Sequence, residues 1–351
     1  MYHLRRRGVD VSTTAEGSLV KILVTGATGF YGRALCRALL VAGAERVVLY
    51  SRSESRQAEV AEQLRGHDAA RFFLGDVRDQ PRLEEAMWGC DTVVHAAALK
   101  RVDAVAYDPG EVTKTNIMGS SCVTAAAIAA GVERVLMISS DKAVMPENAY
   151  GVSKAHMERE AVAKNAVAVP RGTRISCVRW GNVLGSTGSV VITWRRQLAA
   201  GEPITITDER MTRFIMRVGH AVGFTLDALH DMEGGEVFVP ILPAARLIDL
   251  AQAVCDVAQP ALTYRPGAPV RVGLRPGGEK RHEMLLSPEE ATRAYRQHGG
   301  RRFVVLPSLH SWRAAWPWPT GAFKLDGPYT SDRPSVWLTV GDLVDMLREV
   351  P

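Results

Sequence analysis

Six short apolar runs, at 21–25, 46–51, 71–75, 92–97, 134–139 and 174–180, alternate with amphipathic stretches of helical period. Near-continuous apolar strands of this kind cannot leave a face in water. Alternating with helices, they require a parallel sheet, because right-handed crossovers lay a helix over each side. The chain is therefore expected to be α/β, with a doubly wound parallel sheet.

Length and composition set the rest of the frame. At 351 residues and 46% hydrophobic, the chain can bury one large core and a smaller appendage. Residues 21–182 and 214–258 are assigned to the sheet domain, with a helix at 214–230, a strand at 236–240 and a helix at 247–257 returning to it. Residues 183–213 and 259–351, rich in Pro, Gly and Arg, are assigned to a smaller lobe covering a substrate. Residues 1–20 carry arginines with no apolar stretch behind them, so they are read as a flexible tail and not as a secretory signal. The longest apolar tract, 123–138, is broken by Gly131, Glu133 and Arg134 and cannot span a bilayer. No membrane association is expected.

The net charge of +5 is dispersed, with no basic tract beyond Arg5, Arg6 and Arg7, so nucleic acid is not implied. Cys36, Cys90, Cys122, Cys177 and Cys255 show no CxxC spacing and read as reduced thiols, which suits a cytoplasm. His282 has no partner at ligand spacing, and no metal is expected. Trp312, Trp316, Trp318 and Trp337 are assigned to packing.

Gly26, Gly29 and Gly32 form G-x-x-G-x-x-G directly after the first strand and at the start of a helix. Glycines there permit the tight turn and the close backbone approach that put a pyrophosphate at a helix N-terminus, so the stretch from Gly26 through Thr28, Phe30 and Tyr31 to Gly32 predicts a dinucleotide site. After the second strand stand Ser51 and Arg52, where an acidic residue would otherwise read a ribose hydroxyl. Arginine there pairs with a 2'-phosphate, which favours NADP over NAD. Asp76 and Val77, after the third strand, are expected beside the adenine, and Ala96, Ala97 and Ala98, after the fourth, leave room for the cofactor.

Tyr150 and Lys154, at i and i+4, share one helix face after the fifth strand. An ammonium next to a phenol favours the phenolate, a base for a sugar hydroxyl. The glycine fingerprint, the strand-end serine and Y-x-x-x-K together resemble the extended short-chain dehydrogenase/reductase superfamily, whose doubly wound sheet is of the Rossmann type. Only nine residues separate Ser140 from Tyr150, and that interval contains Asp141 and Lys142. The stretch Ser139-Ser140-Asp141-Lys142-Ala143 through Tyr150-Gly151 is similar to the UDP-N-acetylglucosamine 4,6-dehydratases of polysaccharide and pseudaminic acid biosynthesis. Further blocks, including 95–102, 114–117, 181–190, 211–214 and 235–240, extend the resemblance from Lys21 to Leu347.

The resemblance implies a mechanism. Tyr150 removes the 4-hydroxyl proton while NADP accepts hydride from carbon 4; Lys142 takes the carbon-5 proton; Asp141 protonates the departing 6-hydroxyl; hydride returns to carbon 6. Ser140 and Lys154 complete the catalytic set. Tyrosine at position 150 is similar to the soluble inverting branch. Lys100, Asn182, Ser189, Val190 and Glu279 are candidate substrate contacts, and Arg213 and Arg275 candidate diphosphate ligands, since the guanidinium fork matches phosphate oxygens. Where the family reads R-P-G-E-K, this chain carries an extra Gly278. The expected partner is a nucleotide sugar, and assembly as a homo-oligomer, dimer or hexamer, follows from the resemblance. A nucleotide-sugar 4-epimerase or 5,6-dehydratase is the rival enzyme, and a cofactor-sensing regulator the rival outside catalysis.

Overall fold

The computed structural model describes residues 20–101, 106–259, 269–273, 278–297, 299–308, 311–313, 325 and 327–350. Nine strands form its main sheet: β1 (Lys21–Thr25), β2 (Arg46–Ser51), β3 (Ala70–Leu74), β4 (Thr92–His95), β5 (Arg134–Ser140), β6 (Arg174–Trp180), β7 (Val237–Pro240), β8 (Ala294–Gln297) and β9 (Arg302–Val305). Their spatial order is β8-β9-β7-β6-β5-β4-β1-β2-β3. Strands β1 to β7 run parallel, while β9 pairs antiparallel with β7 and β8 antiparallel with β9. The apolar runs explain why the centre of the sheet is dry: Ile22 to Val24, Val47 to Leu49, Val93, Val94 and Val135 to Met137 are all buried.

Helices α1 (Phe30–Val41), α2 (Glu54–Gln63), α3 (Gln80–Met87), α4 (Gly119–Ala129), α5 (Ala149–Ala168) and α6 (Val218–Asp231) accompany the sheet. Strand order reverses at β1 and β4, the switch point at which open α/β sheets bind ligands outside the strand carboxyl ends. The glycine turn follows β1, and the Tyr150 helix follows β5, one strand further on.

Three expectations need correction. The helix expected at 214–230 begins at Val218, because the β-rich stretch Thr212–Met216 is a fully buried strand pairing with Ala244–Arg246 and with Asn182–Val183. The helix at Leu247–Ala258 does not return to the main sheet. Its Leu247, Leu250 and Val254 enter a second core with Val191, Trp194 and Leu198 of helix Val190–Ala199 and Leu343 and Leu347 of helix Val340–Arg348. Conversely β8 and β9, drawn from the segment assigned to the smaller lobe, extend the main sheet beyond β7, because Phe303, Val304 and Val305 join the main core.

Trp312 donates to the Gly234 carbonyl at 3.2 Å, and Trp337 lies under the Arg246 guanidinium; Trp316 and Trp318 lie outside the described residues. Among the described residues, no helix is long and apolar enough to cross a membrane.

Candidate active site

The glycine turn is built by contact. Gly26 takes φ +67°, and a Cβ on it would stand 2.8 Å from the Ala97 nitrogen, so β1 and β4 approach here more closely than any side chain allows. A Cβ on Gly32 would collide with the Gly26 carbonyl. Gly29 caps α1 without a side-chain hydrogen bond, and its own amide donates to the Gly26 carbonyl at 2.9 Å. The Ala96 and Ala97 amides both donate to Thr25 Oγ1 at 3.2 Å, which fixes the start of the Ala96, Ala97, Ala98 segment opposite the turn. Thr28 is buried within the turn, and Phe30 opens the helix. This cradle, closed to any Cβ and ending at a helix N-terminus, fits a dinucleotide pyrophosphate.

The Tyr31 side chain is engaged within the protein. Its phenol bonds Thr225 Oγ1 at 2.7 Å and its ring meets Trp180 edge-on at 4.8 Å, so the side chain packs α1 against α6 and β6. At the end of β2, Ser51 Oγ accepts from Gln57 at 3.0 Å, while Arg52 stays half exposed with its guanidinium 3.6 Å from Asp76. The Asp76 carboxylate is also gripped by Arg78 at 2.7 Å; burial acts to raise its pKa, and the arginine bonds override it and hold it below the ordinary range. Val77 is buried against Gly119, where a Cβ would come within 2.8 Å of its methyl group.

The chemistry lies at the end of β5. Ser140 donates to Asp141 Oδ1 at 2.7 Å, and the Lys142 ammonium donates to Asp141 Oδ2 at 3.0 Å and to Asn182 Oδ1 at 2.7 Å. Glu283 Oε1 lies 3.3 Å from the same nitrogen. Three acceptors meet the three protons of one ammonium. Asp141 is fully buried; loss of hydration raises its pKa, Lys142 counteracts this, and the charge of Glu283 adds to the rise. Burial acts against the charged form of Lys142, yet Asp141 and Glu283 carry its pKa upward, so the resting side chain is a cation.

Tyr150 stands in the first turn of α5, which Asn148 caps by accepting from the Gly151 amide at 2.9 Å. Burial pushes its phenol up to about 12; Lys142 and the Ser140 hydroxyl act to lower it. The expected partner, Lys154, is instead buried with its nitrogen donating to the Ile138 carbonyl at 2.7 Å, and burial pushes its pKa down to about 8. Lys142 is thus the cation acting on the phenol, a correction to the reading from helical spacing alone.

Among the substrate candidates, Asn182 touches Lys142 directly. Lys100 keeps an exposed surface, but the protein around it and then Lys142 depress its pKa, which locates it on the same side of the cluster. Ser189 caps the helix that Val190 opens, and its Oγ is buried without a partner among the described residues. Arg213 is only 8% exposed; it donates to the Thr212 and Arg281 carbonyls at 2.8 and 3.1 Å and lies 3.6 Å from Glu279 and 3.7 Å from Glu283, so its fork faces the acid-base cluster. Arg275 lies outside the described residues. The extra Gly278 takes φ +92° and packs on Glu147, with its carbonyl accepting from Asn148 at 2.9 Å.

Two residues escaped the sequence reading. Asn116, in a π-helical turn, accepts from the Leu99 amide at 2.8 Å and donates to the Leu99 carbonyl and to Ser153, tying the strip beside the cofactor cradle to α5. Glu283 is 3% exposed and reaches Lys142 from a distant segment. Asn116 lay within a block that carried the resemblance; for Glu283 nothing in residue spacing pointed to the site.

The doubly wound sheet, the glycine cradle at its switch point and the tyrosine, lysine and carboxyl cluster beyond β5 define the Rossmann-type class of dehydratases and epimerases. Within that class, the chain belongs to the family described as polysaccharide biosynthesis protein, whose model matches residues 22–303. It is 35% identical to the UDP-N-acetylglucosamine 4,6-dehydratase (inverting) of Campylobacter jejuni, covering 93% of this chain and 97% of that protein. It is 37% identical to the UDP-glucose 4-epimerase of Rickettsia conorii over 78% of this chain and 79% of that protein. The crystal structure of Pen from Bacillus thuringiensis superposes with a TM-score of 0.83 at 30% identity, over 94% of this chain and 98% of that one.

Proposed function

We propose that the chain is a nucleotide-sugar 4,6-dehydratase acting on UDP-N-acetylglucosamine, with NADP as its dinucleotide and inversion at carbon 5. The observation that carries this reading is the joining of Ser140, Asp141, Lys142 and Asn182 into one hydrogen-bonded cluster beside Tyr150. A buried carboxyl group whose pKa is raised by loss of hydration and an amine next to it are the kinds of acid and base that elimination of water demands. The similarity to the Campylobacter jejuni dehydratase along nearly the whole chain supports the sugar.

Gly26, Gly29, Gly32 and the Ala96 to Ala98 segment hold the dinucleotide, which when bound takes up hydride from carbon 4 and gives it back at carbon 6. Tyr150 receives the 4-hydroxyl proton. The ketone at carbon 4 acidifies carbon 5, and Lys142, in its neutral form, removes that proton while Asp141 protonates the departing 6-hydroxyl. Carbon 5 then takes a proton from solvent on its opposite face and Lys142 gives the proton it removed to water, so over one turnover Tyr150 gains a proton, Asp141 loses one and Lys142 is unchanged. Ser140, which bonds Asp141 and acts on the phenol, links the two groups and resets them. Residues 183–213 and the described segment 278–287 supply the sugar side of the cleft, and the enzyme works as a cytoplasmic homo-oligomer.

Incubation with UDP-N-acetylglucosamine in deuterated water tests the assignment. A 4-keto-6-deoxy product with deuterium at carbon 5 is expected. A 4-epimer without exchange would favour the epimerase reading that the Rickettsia conorii relative represents, an unsaturated product would favour a 5,6-dehydratase, and no turnover a cofactor-sensing role.

Arg52 supports the choice of NADP, being half exposed at the end of β2. Arg52→Asp should weaken NADP binding by roughly ten- to a hundredfold, the worth of one charge-assisted bond, and spare NAD. Calorimetric titration with each dinucleotide measures this; equal losses for both would remove the argument for the 2'-phosphate.

A further inference from the structure

We propose that Glu283 is a positioning residue that holds the Lys142 amine in place and sets the pH at which it becomes available as a base. The segment 278–283 is strapped across the loop between Lys142 and Asn148. Gly278 accepts from Asn148 at 2.9 Å, Lys280 donates to the Val144 carbonyl, and Glu283 meets Lys142 at 3.3 Å. Asp141 and Asn182 occupy two of the ammonium protons, and Glu283 Oε1 faces the third.

The side chain is not needed to anchor its own backbone. The Glu283 amide donates to Ser331 Oγ, and its carbonyl accepts from the Ser331 amide, both at 2.8 Å. Meanwhile Glu283 Oε2 is buried with no hydrogen-bond partner among the described residues. A buried carboxylate with a vacant acceptor atom is costly unless a nearby charge compensates it. The compensating charges are Lys142, Arg213 at 3.7 Å, and Lys280.

Among the described residues, Asp141 and Glu283 favour the charged form of Lys142, Arg213 opposes it, Lys100 and Lys280 lie close enough for mutual repulsion, and the Tyr150 phenol is itself influenced by it. Farther out, Glu279 offsets Arg213, and Glu147 acts on Lys280. Replacing Glu283 by an amide removes one anion and keeps the shape, so the Lys142 amine should lose its proton at lower pH. An opposite charge at this range is worth roughly one pH unit or more.

The inference rests on Lys142 being the carbon-5 base, but its primary test does not require turnover. Competitive acetylation of the purified protein with acetic anhydride, followed across pH by mass spectrometry of the Lys142 peptide, gives the titration midpoint, with added phenylalanine as internal reference. Glu283→Gln should move the midpoint down by roughly one unit or more, and Glu283→Asp should restore most of it. If the wild-type enzyme dehydrates, the alkaline rise of its carbon-5 deuterium exchange should shift the same way in Glu283→Gln.

An unmoved labelling midpoint in Glu283→Gln overturns the proposal whether or not the sugar assignment stands. Should that variant fail to fold, Glu283→Met, which buries no polar atom, takes its place, and an unmoved Lys142 midpoint there likewise overturns the proposal. A shifted midpoint in a chain that never dehydrates would leave the role of Glu283 intact and remove the dehydratase reading.

Discussion

Tyr150→Phe is expected to lower the dehydration rate by roughly a hundred- to ten-thousandfold, the contribution of a positioned general base. The phenol is acted on by the Lys142 charge and the Ser140 hydroxyl, within the acid-base cluster at the end of β5. Burial holds the free phenol near 12, so its activity as a base depends on the cations around it. Phenylalanine keeps the ring volume and the Asn148 cap, and stability should change little.

The diagnostic readout is deuterium at carbon 5. Only a ketone at carbon 4 makes that proton acidic, so a variant unable to start the oxidation should lose exchange and water release together. Mass spectrometry of the sugar measures both. Robust exchange in Tyr150→Phe would show that another group removes the first proton.

Arg179→Met carries the largest expected loss of stability, roughly 3–5 kcal/mol, the cost of removing one partner from a buried ion pair. Arg179 is 2% exposed on β6. Its fork bonds both oxygens of Glu158 on α5, both oxygens of Glu290 at 2.8 and 2.9 Å, and the Leu285 carbonyl at 2.8 Å. Without the guanidinium two carboxylates remain in the interior. The catalytic helix also loses its tie to the segment that delivers Glu283.

The loss should depend on pH. Burial acts to raise the pKa of Glu290, but Arg179 outweighs it and holds the group below its ordinary value. Such a group stabilises the fold above its unfolded pKa, about 4.3, and that contribution disappears as pH falls through the lower folded value. The destabilisation should therefore be full at neutral pH and shrink in acid, where the stranded carboxylates take up protons. Urea unfolding at neutral and acidic pH measures the difference, and a penalty that does not change with pH would point to packing instead of charge.

How far the chain could be read in advance differs from element to element. The strands β1 to β6 were legible because apolar runs between helical stretches have few alternative uses. The glycine turn was legible because its spacing and its place after β1 agree, and Gly26, at φ +67°, sits in a conformation that disfavours any side chain. Phe214 misled because an apolar stretch running into a helix does not reveal where the strand ends; the pairing of Thr212–Met216 with Ala244–Arg246 does. The burial of Arg213 was not legible because exposed and buried arginines look alike in sequence.

By itself the sequence determined the doubly wound sheet and the glycine turn after its first strand, which depend on local period and spacing, and through its resemblance it proposed Asp141, Lys142 and Tyr150, which lie close along the chain, as acid, base and phenol. Only the tertiary structure decided which charges face one another. Lys142, not Lys154, acts on the phenol, Arg213 turns inward, and Glu283 completes the ammonium's set of acceptors. The physical reason is that a charge interaction falls off over a few ångströms of space, whereas the residues concerned lie far apart in the chain and meet only when the strap from Gly278 to Glu283 closes over the end of β5.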